Sequence, residues 1–188
     1  MAPPPSSVPE ASEEGHARTI RQGPNASIWR VLPAFETQAT QSFCSLATVA
    51  TLLNGLAVPA PTGKYYAPHA YFTQFNLLGP CAAKIPSEQH PGVMLTPGFT
   101  ATHGATLDEA AKFAGCYSDA TATHAGSSDA SSFRRQVEGL ATGGYAIGVN
   151  FHRPSLGQAG GGHFSPSKPR DSNAVPIPTS VLETCLCQ

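Results

Sequence analysis

Apolar positions follow a helical spacing in the first half of the chain. Between residues 43 and 56, leucine and valine recur at steps of three and four: Leu46, Val49, Leu53 and Leu56. This spacing predicts a helix with one apolar face. Ser42 is a candidate cap at its start, and Asn54-Gly55 near its end is typical of a helix stop. Cys44 is therefore expected in the first helical turn.

Later segments predict a second group of elements. The residues from Thr106 to Glu109 have the pattern of a capping box, and residues 132–140 predict another short helix. Residues 145–151 alternate in the way of a strand, and a glycine-rich turn leads into a second strand of a hairpin at 163–165. Because helices come first and strands last, we predict an α+β fold with C-terminal antiparallel strands.

The two ends of the chain differ in composition from its middle. Residues 1–25 are rich in Pro, Ser and Glu, which predicts a disordered arm. Residues 26–166 carry the apolar patterns and form the predicted folded domain. Residues 167–188 begin with a proline-rich stretch that lacks a strand pattern, and their last ten residues, from 179, predict at most one helical turn.

Composition limits the function classes. The chain has 188 residues, enough for one domain, with 11 basic and 12 acidic residues. No basic stripe could follow a phosphate backbone, so we expect no nucleic-acid partner. We also expect no membrane segment and a cytoplasmic location, because apolar runs are short and no signal-peptide core is visible. Five irregularly spaced cysteines indicate neither a disulfide framework nor zinc knuckles, which favours a reducing compartment.

Cys44 is the candidate nucleophile, because the unpaired N–H groups of a helix N-terminus stabilise a thiolate. It needs a histidine from a distant part of the chain, and His163 is favoured over His152 because three glycines before it leave room for a substrate. Gln38, with Gln41 as the fallback, could join the Cys44 N–H in an oxyanion hole. These residues taken singly are equally compatible with an inert core thiol and an ordinary strand histidine.

Five segments resemble the phytochelatin synthase family. FETQATQSFCSLATVATLLNGLAV resembles the nucleophile region, and YYAPHAYFTQFNLL resembles the segment after it. GATLDEAAKFAGCY and SSFRRQVEGL resemble the next two helices, and YAIGVNFHRPSLGQAGGGHFSP is similar to the strand and histidine motif. The resemblance covers roughly residues 28–166. The interval from Gln38 to Cys44 also resembles that of papain-like enzymes.

The resemblance implies a papain-like fold and γ-glutamylcysteinyl transfer. Cys44 would attack the Cys–Gly amide of glutathione, release glycine and form a thioester that a second glutathione, a phytochelatin peptide or water resolves. His163 would move the protons and Gln38 would bind the oxyanion, while Arg153 and Gln158 would help to hold substrate. It implies no tightly bound cofactor; cadmium or zinc would act as an activator or as a glutathione thiolate complex.

The chain also departs from the family pattern. Ser45 stands where the family has glycine, and the stretch L-D-V-x-R-x-K-Y-P-P, with the Asp that orients the histidine, is not found after Pro166. Asp171 is not a positional match. We therefore expect a divergent tail at 167–188, an incomplete sheet and slow turnover.

The cysteines outside the site have simpler interpretations. Cys81 and Cys116 are interpreted as structural. Cys185 and Cys187 could bind a thiophilic metal, but two cysteines on one short tail make an incomplete site, so we favour no metal role for them. Two functional alternatives remain open: an impaired family member that binds thiols or metal, and an ordinary papain-like protease.

Overall fold

Helices precede most of the strands in the computed structural model, which describes residues 12–21, 28–62, 67–139, 144–167 and 182–187. The helices are α1 (Glu13–Arg21), α2 (Ile28–Val31), α3 (Cys44–Gly55), α4 (Pro97–His103), α5 (Leu107–Gly115) and α6 (Ala130–Gly139). The strands are β1 (Ala120–Thr123), β2 (Ala146–His152), β3 (Gly162–Pro166) and β4 (Leu182–Cys187). Short 3-10 helices lie at Leu32–Ala34, Ala82–Lys84, Ala125–Ser127 and Arg153–Leu156. The mixture confirms the α+β prediction.

The central helix α3 has the predicted bounds but is buried on all sides. Every residue from Ser45 to Leu53 is buried, because α5, β2 and β3 all pack against it. A helix that is surrounded in this way has no face exposed to solvent, so no side of it needs polar residues. The prediction of a single apolar face was therefore too narrow, since the helix packs on the β2–β3 hairpin as well as on α5.

The sheet is antiparallel with the strand order β1-β4-β2-β3. The predicted hairpin is confirmed as β2 and β3, with Phe151 opposite His163. The prediction that residues 179–188 form at most one helical turn was wrong, since β4 pairs with both β1 and β2. This short segment forms a strand because β1 and β2 pair with it on its two sides, and such distant partners cannot be recognised from its local sequence pattern. The edge of β2, expected to be uncovered in an incomplete sheet, is paired.

The two faces of the sheet pack against different helices. Ala146 and Phe164 belong to the main core with α3 and α5, whereas Ile147 and Val149 pack with Val137 of α6. Successive residues of a strand point to opposite faces. His163 pairs with Phe151, so its ring lies on the α6 face of the sheet, edge-on to Phe151 with the ring centroids 5.5 Å apart, whereas Phe164 points to the opposite face.

A disulfide joins Cys81 to Cys116, with their Cα atoms 5.9 Å apart. The expectation that the cysteines form no disulfide was therefore wrong for this pair. The residues are 35 positions apart in sequence, so their spacing carries no signal. They meet because buried Ala82 and Ala114, beside them, both pack into the main core.

The N-terminal arm contains a helix. Residues 1–25 were predicted to be disordered, but α1 forms over Glu13–Arg21. Residues 1–11 and 22–25 of the arm, like residues 168–181 of the tail, lie outside the described residues. Among the described residues, no helix is both long and apolar enough to cross a membrane.

Candidate active site

Cys44 is the first residue of α3, as predicted, and it is half-buried at the edge of the main core. Phe43, rather than Ser42, occupies the cap position, and its side chain makes no capping hydrogen bond. The N–H groups of the first turn therefore face no competing side-chain cap at this position. Such an end favours a thiolate, because the helix dipole and the unpaired donors both stabilise negative charge.

Ser45, the departure from the family glycine, points into the core. It is fully buried, and its hydroxyl makes no hydrogen bond. A buried hydroxyl without a partner costs stability. The serine thus occupies space beside the nucleophile without adding a polar contact to it.

Gln38 lies in an irregular segment, residues 35–43, that leads into α3. The residue is half-buried, and its Nε2 donates to the Thr40 carbonyl over 2.9 Å in an exposed hydrogen bond. Gln41, the fallback, is exposed in the turn before α3. Gln38 is therefore the more buried residue of the two, although its amide is turned onto its own segment in this structure.

His163 is the second residue of β3 and is half-buried. Nδ1 lies 2.7 Å from Nη2 of Arg153. Because a guanidinium can only donate, Nδ1 must accept, and the proton of the neutral ring is on Nε2. Burial, and to a smaller extent the positive charge of Arg153, holds the pKa of His163 below its ordinary value.

Arg153 packs against the glycine-rich turn that precedes β3. Its backbone N–H donates to the Gly161 carbonyl over 3.1 Å. Gly160 has a φ of +109°, and a Cβ there would lie 2.8 Å from Nη1 of Arg153. The backbone angle therefore favours glycine at this position, and any larger residue would have to displace the guanidinium of Arg153. Within the described residues, no carboxylate forms an ion pair with Arg153.

The other two candidates lie on the same hairpin end. The backbone N–H of Gln158 donates to the Arg153 carbonyl over 3.0 Å, which places both predicted substrate residues in one loop. His152, the alternative base, is exposed, and its Nδ1 lies 3.1 Å from Ser155 Oγ. The structure thus groups His163, Arg153 and Gln158 in one hairpin and places Cys44 on the helix that packs against it. A direct Cys44–His163 contact remains a prediction.

The chain matches the family model of phytochelatin synthase over residues 2–169. It belongs to the phytochelatin synthase family. Two glutathione gamma-glutamylcysteinyltransferases of Lotus japonicus are similar to it. Glutathione gamma-glutamylcysteinyltransferase 1 is 29% identical over 172 residues, which cover 88% of this chain and 31% of that protein. Glutathione gamma-glutamylcysteinyltransferase 3 is 28% identical over 171 residues, which cover 88% of this chain and 33% of that protein. The chain thus spans about a third of the length of these relatives.

Sequence reasoning missed one buried network of this phytochelatin synthase domain. Gln74 is 2% exposed and hydrogen-bonds to Glu36, Thr37 and Ala39 in the segment that leads to Cys44. A glutamine in an aromatic segment gives no local signal for such contacts, since its partners are more than 30 residues away. Only the packed structure shows them.

Proposed function

We propose that this phytochelatin synthase domain transfers the γ-glutamylcysteinyl group of glutathione through a thioester on Cys44. The observation that carries the proposal is the place of Cys44 at the uncapped N-terminus of α3, the helix that packs against the strand of His163, in a chain of this family. A thiolate at such a position is a suitable nucleophile for an amide carbonyl.

In the proposed first step, the Cys44 sulfur attacks the carbonyl carbon of the Cys–Gly amide. Gln38 Nε2 leaves the Thr40 carbonyl and, with the Cys44 N–H, donates to the oxyanion. The C–N bond then breaks, and His163 gives the leaving amine the proton that it took from the thiol, so that free glycine departs. The product is an acyl-thioester on Cys44.

In the second step, an amine or water resolves the thioester. Attack by the α-amino group of a second glutathione, or of a phytochelatin peptide, forms a new amide and restores the Cys44 thiol. Attack by water gives γ-glutamylcysteine instead. His163 removes the proton from either nucleophile, which requires the neutral ring that its lowered pKa favours.

Arg153 is the proposed anchor for a glutathione carboxylate. A half-buried guanidinium without a carboxylate partner in the described residues is suited to a bidentate anion. When substrate binds, Arg153 exchanges its hydrogen bond to His163 for one to the carboxylate. Gln158, in the same loop, is proposed as a second polar contact.

Heavy metal is assigned to the substrate in this proposal. The described ranges contain no group of three or more His, Cys, Asp or Glu residues placed to hold a metal ion. Cadmium or zinc would enter as a glutathione thiolate complex, whose Cys–Gly amide remains available for attack. The proposed role in heavy-metal detoxification depends on this.

Mass spectrometry of the protein after brief incubation with glutathione tests the proposal. We expect a γ-glutamylcysteinyl adduct on Cys44, glycine release, and neither of these in Cys44→Ala. His163→Ala should retain the fold and slow acylation by roughly 10²-fold or more. An adduct on another cysteine, or glycine release by Cys44→Ala, would contradict the assignment.

A further inference from the structure

The side chain of Gln74 joins two distant segments of the chain. It lies in the 71–78 segment and is 2% exposed. Its Nε2 donates to Glu36 Oε1 and to the Thr37 carbonyl, each over 2.9 Å, and its Oε1 accepts from the Ala39 N–H over 2.8 Å. All the hydrogen-bonding groups that this amide uses therefore point at residues 36–39.

These contacts enclose Gln38 on both sides. The Thr37 carbonyl belongs to the peptide before Gln38, and the Ala39 N–H to the peptide after it. One carboxamide thus fixes the two peptide groups that set the Cα position and direction of Gln38. No regular secondary structure holds residues 35–39 otherwise.

The same network is tied to the helix of Cys44. Glu36 Oε1 also accepts from the Gln74 backbone N–H over 3.2 Å, and the Glu36 N–H donates to Thr51 Oγ1 over 3.0 Å. Thr51 is buried within α3 and donates to the Ala47 carbonyl of the same helix over 2.7 Å. The Gln38 backbone is therefore fixed relative to α3 through Gln74, Glu36 and Thr51.

We infer that Gln74 is a positioning residue for acyl transfer, whose amide holds Gln38 at the distance from Cys44 at which its side chain can reach the oxyanion. The inference rests on the proposed function. An oxyanion donor acts only within hydrogen-bond distance, so a shift of about 1 Å costs roughly 10²-fold in rate. With the backbone fixed, rotation of the Gln38 side chain away from the Thr40 carbonyl is the remaining movement.

The test compares Gln74→Met in two backgrounds. Methionine keeps the length of the side chain and removes all three of its hydrogen bonds. We expect Cys44 acylation by glutathione, measured by mass spectrometry in a single turnover, to slow by about 10- to 100-fold when Gln38 is present. In the Gln38→Ala background, Gln74→Met should slow the acylation of Cys44 by less than about twofold, because the Gln38 side chain that Gln74 positions is already absent.

Hydrogen exchange supplies a measurement independent of chemistry. Gln74→Met should raise amide exchange in residues 36–42 and leave α5 unchanged. Tyr145→Phe is the matched control: it removes the hydrogen bond to the Gln136 carbonyl, near the α6 face of the sheet. It should lower stability without slowing acylation or raising exchange at residues 36–42.

Two results would overturn the inference. Equal slowing of acylation by Gln74→Met in both backgrounds would mean a general structural role, and unchanged exchange at residues 36–42 would mean that Gln74 does not hold the segment. Absence of any adduct on the unmodified chain contradicts the proposed function itself, and the inference then fails with it. In that case raised exchange in Gln74→Met would still show that the amide orders residues 36–42.

Discussion

Arg153 donates a hydrogen bond from Nη2 to Nδ1 of His163 over 2.7 Å. The contact places a permanent positive charge beside the candidate base, where an orienting carboxylate was sought in the sequence. Burial disfavours the imidazolium, and the positive charge of Arg153 disfavours it further, so both effects lower the pKa of His163. Because the guanidinium can only donate, the proton of the neutral ring is on Nε2.

Arg153→Gln should raise the pKa of His163, but only part of the way to its ordinary value, because the larger cause, burial, remains. NMR titration of the imidazole protons measures it directly. Gly160→Ala should shift the pKa in the same direction, since the new Cβ would displace the guanidinium. Gly157→Ala is the control, because its φ of +69° is also positive but a Cβ there would meet nothing within 4 Å. Equal pKa changes in the two glycine variants would contradict this account of Arg153.

The lowered pKa of His163 makes the stability of the fold depend on pH. The pKa of His163 is lower in the folded protein than in the unfolded chain, where it is about 6.5. The folded state is therefore not penalised by this histidine above a pH of about 6.5, and it loses stability as the pH falls from there through the pKa of the folded state. Among the described residues, Arg153 is the charged group in contact with the His163 ring. Urea unfolding between pH 7.5 and 5 should show a smaller loss of stability in Arg153→Gln than in the unmodified chain. An equal loss in both proteins would mean that Arg153 does not influence this titration.

Cys44 should be the most reactive thiol of the three cysteines at 44, 81 and 116. Limiting iodoacetamide at neutral pH should label it first, because it lies at the start of α3 while Cys81 and Cys116 are joined in a disulfide. Peptide mapping without reductant, and again after reduction, measures the order. Labelling of Cys81 or Cys116 ahead of Cys44 in the reduced protein would argue against an activated Cys44.

The Cys81–Cys116 disulfide should contribute substantially to stability. It closes a loop with a sequence separation of 35, for which the loss of unfolded-chain entropy amounts to about 3–4 kcal/mol. The double variant Cys81→Ala and Cys116→Ala should lower the free energy of unfolding by roughly that amount in urea titrations. Reducing the unmodified chain provides the control and should give a similar loss. A change under about 1 kcal/mol would show that the cross-link is absent or that its loop is ordered when unfolded.

Thr51 and Thr100 form a matched pair of fully buried threonines. The Thr51 hydroxyl accepts from the Glu36 N–H and donates to the Ala47 carbonyl, whereas the Thr100 hydroxyl has no partner. Thr51→Val should therefore lower the free energy of unfolding by about 1–2 kcal/mol, and Thr100→Val should leave it unchanged or raise it slightly. Chemical denaturation of both variants decides this, and an equal loss in both would contradict the hydrogen-bond assignment.

Local patterns were sufficient where the chain makes its own contacts. The helix at Cys44, the Thr106–Glu109 capping box and the β2–β3 hairpin depend on neighbours within a few residues, and all were predicted. The disulfide and β4 depend on partners distant in sequence and were missed. Cys44, His163 and Gln38 were selected by residue type and family resemblance, but the Gln74 network and the Arg153–His163 contact exist only in three dimensions.

The position of β4 in the sheet sets an order for assembly during synthesis. α3, α5 and both disulfide cysteines have been made by residue 116, whereas β2 and β3, which also pack against α3, follow at residues 146–166. β1 follows at residues 120–123, but its neighbour in the sheet is β4 at residues 182–187. At roughly 5–20 residues per second, the ribosome leaves that strand edge open for seconds. Until residue 187 has emerged, β1 and the far edge of β2 lack their partner strand β4, and unpaired strand edges of this kind are prone to pair with other chains.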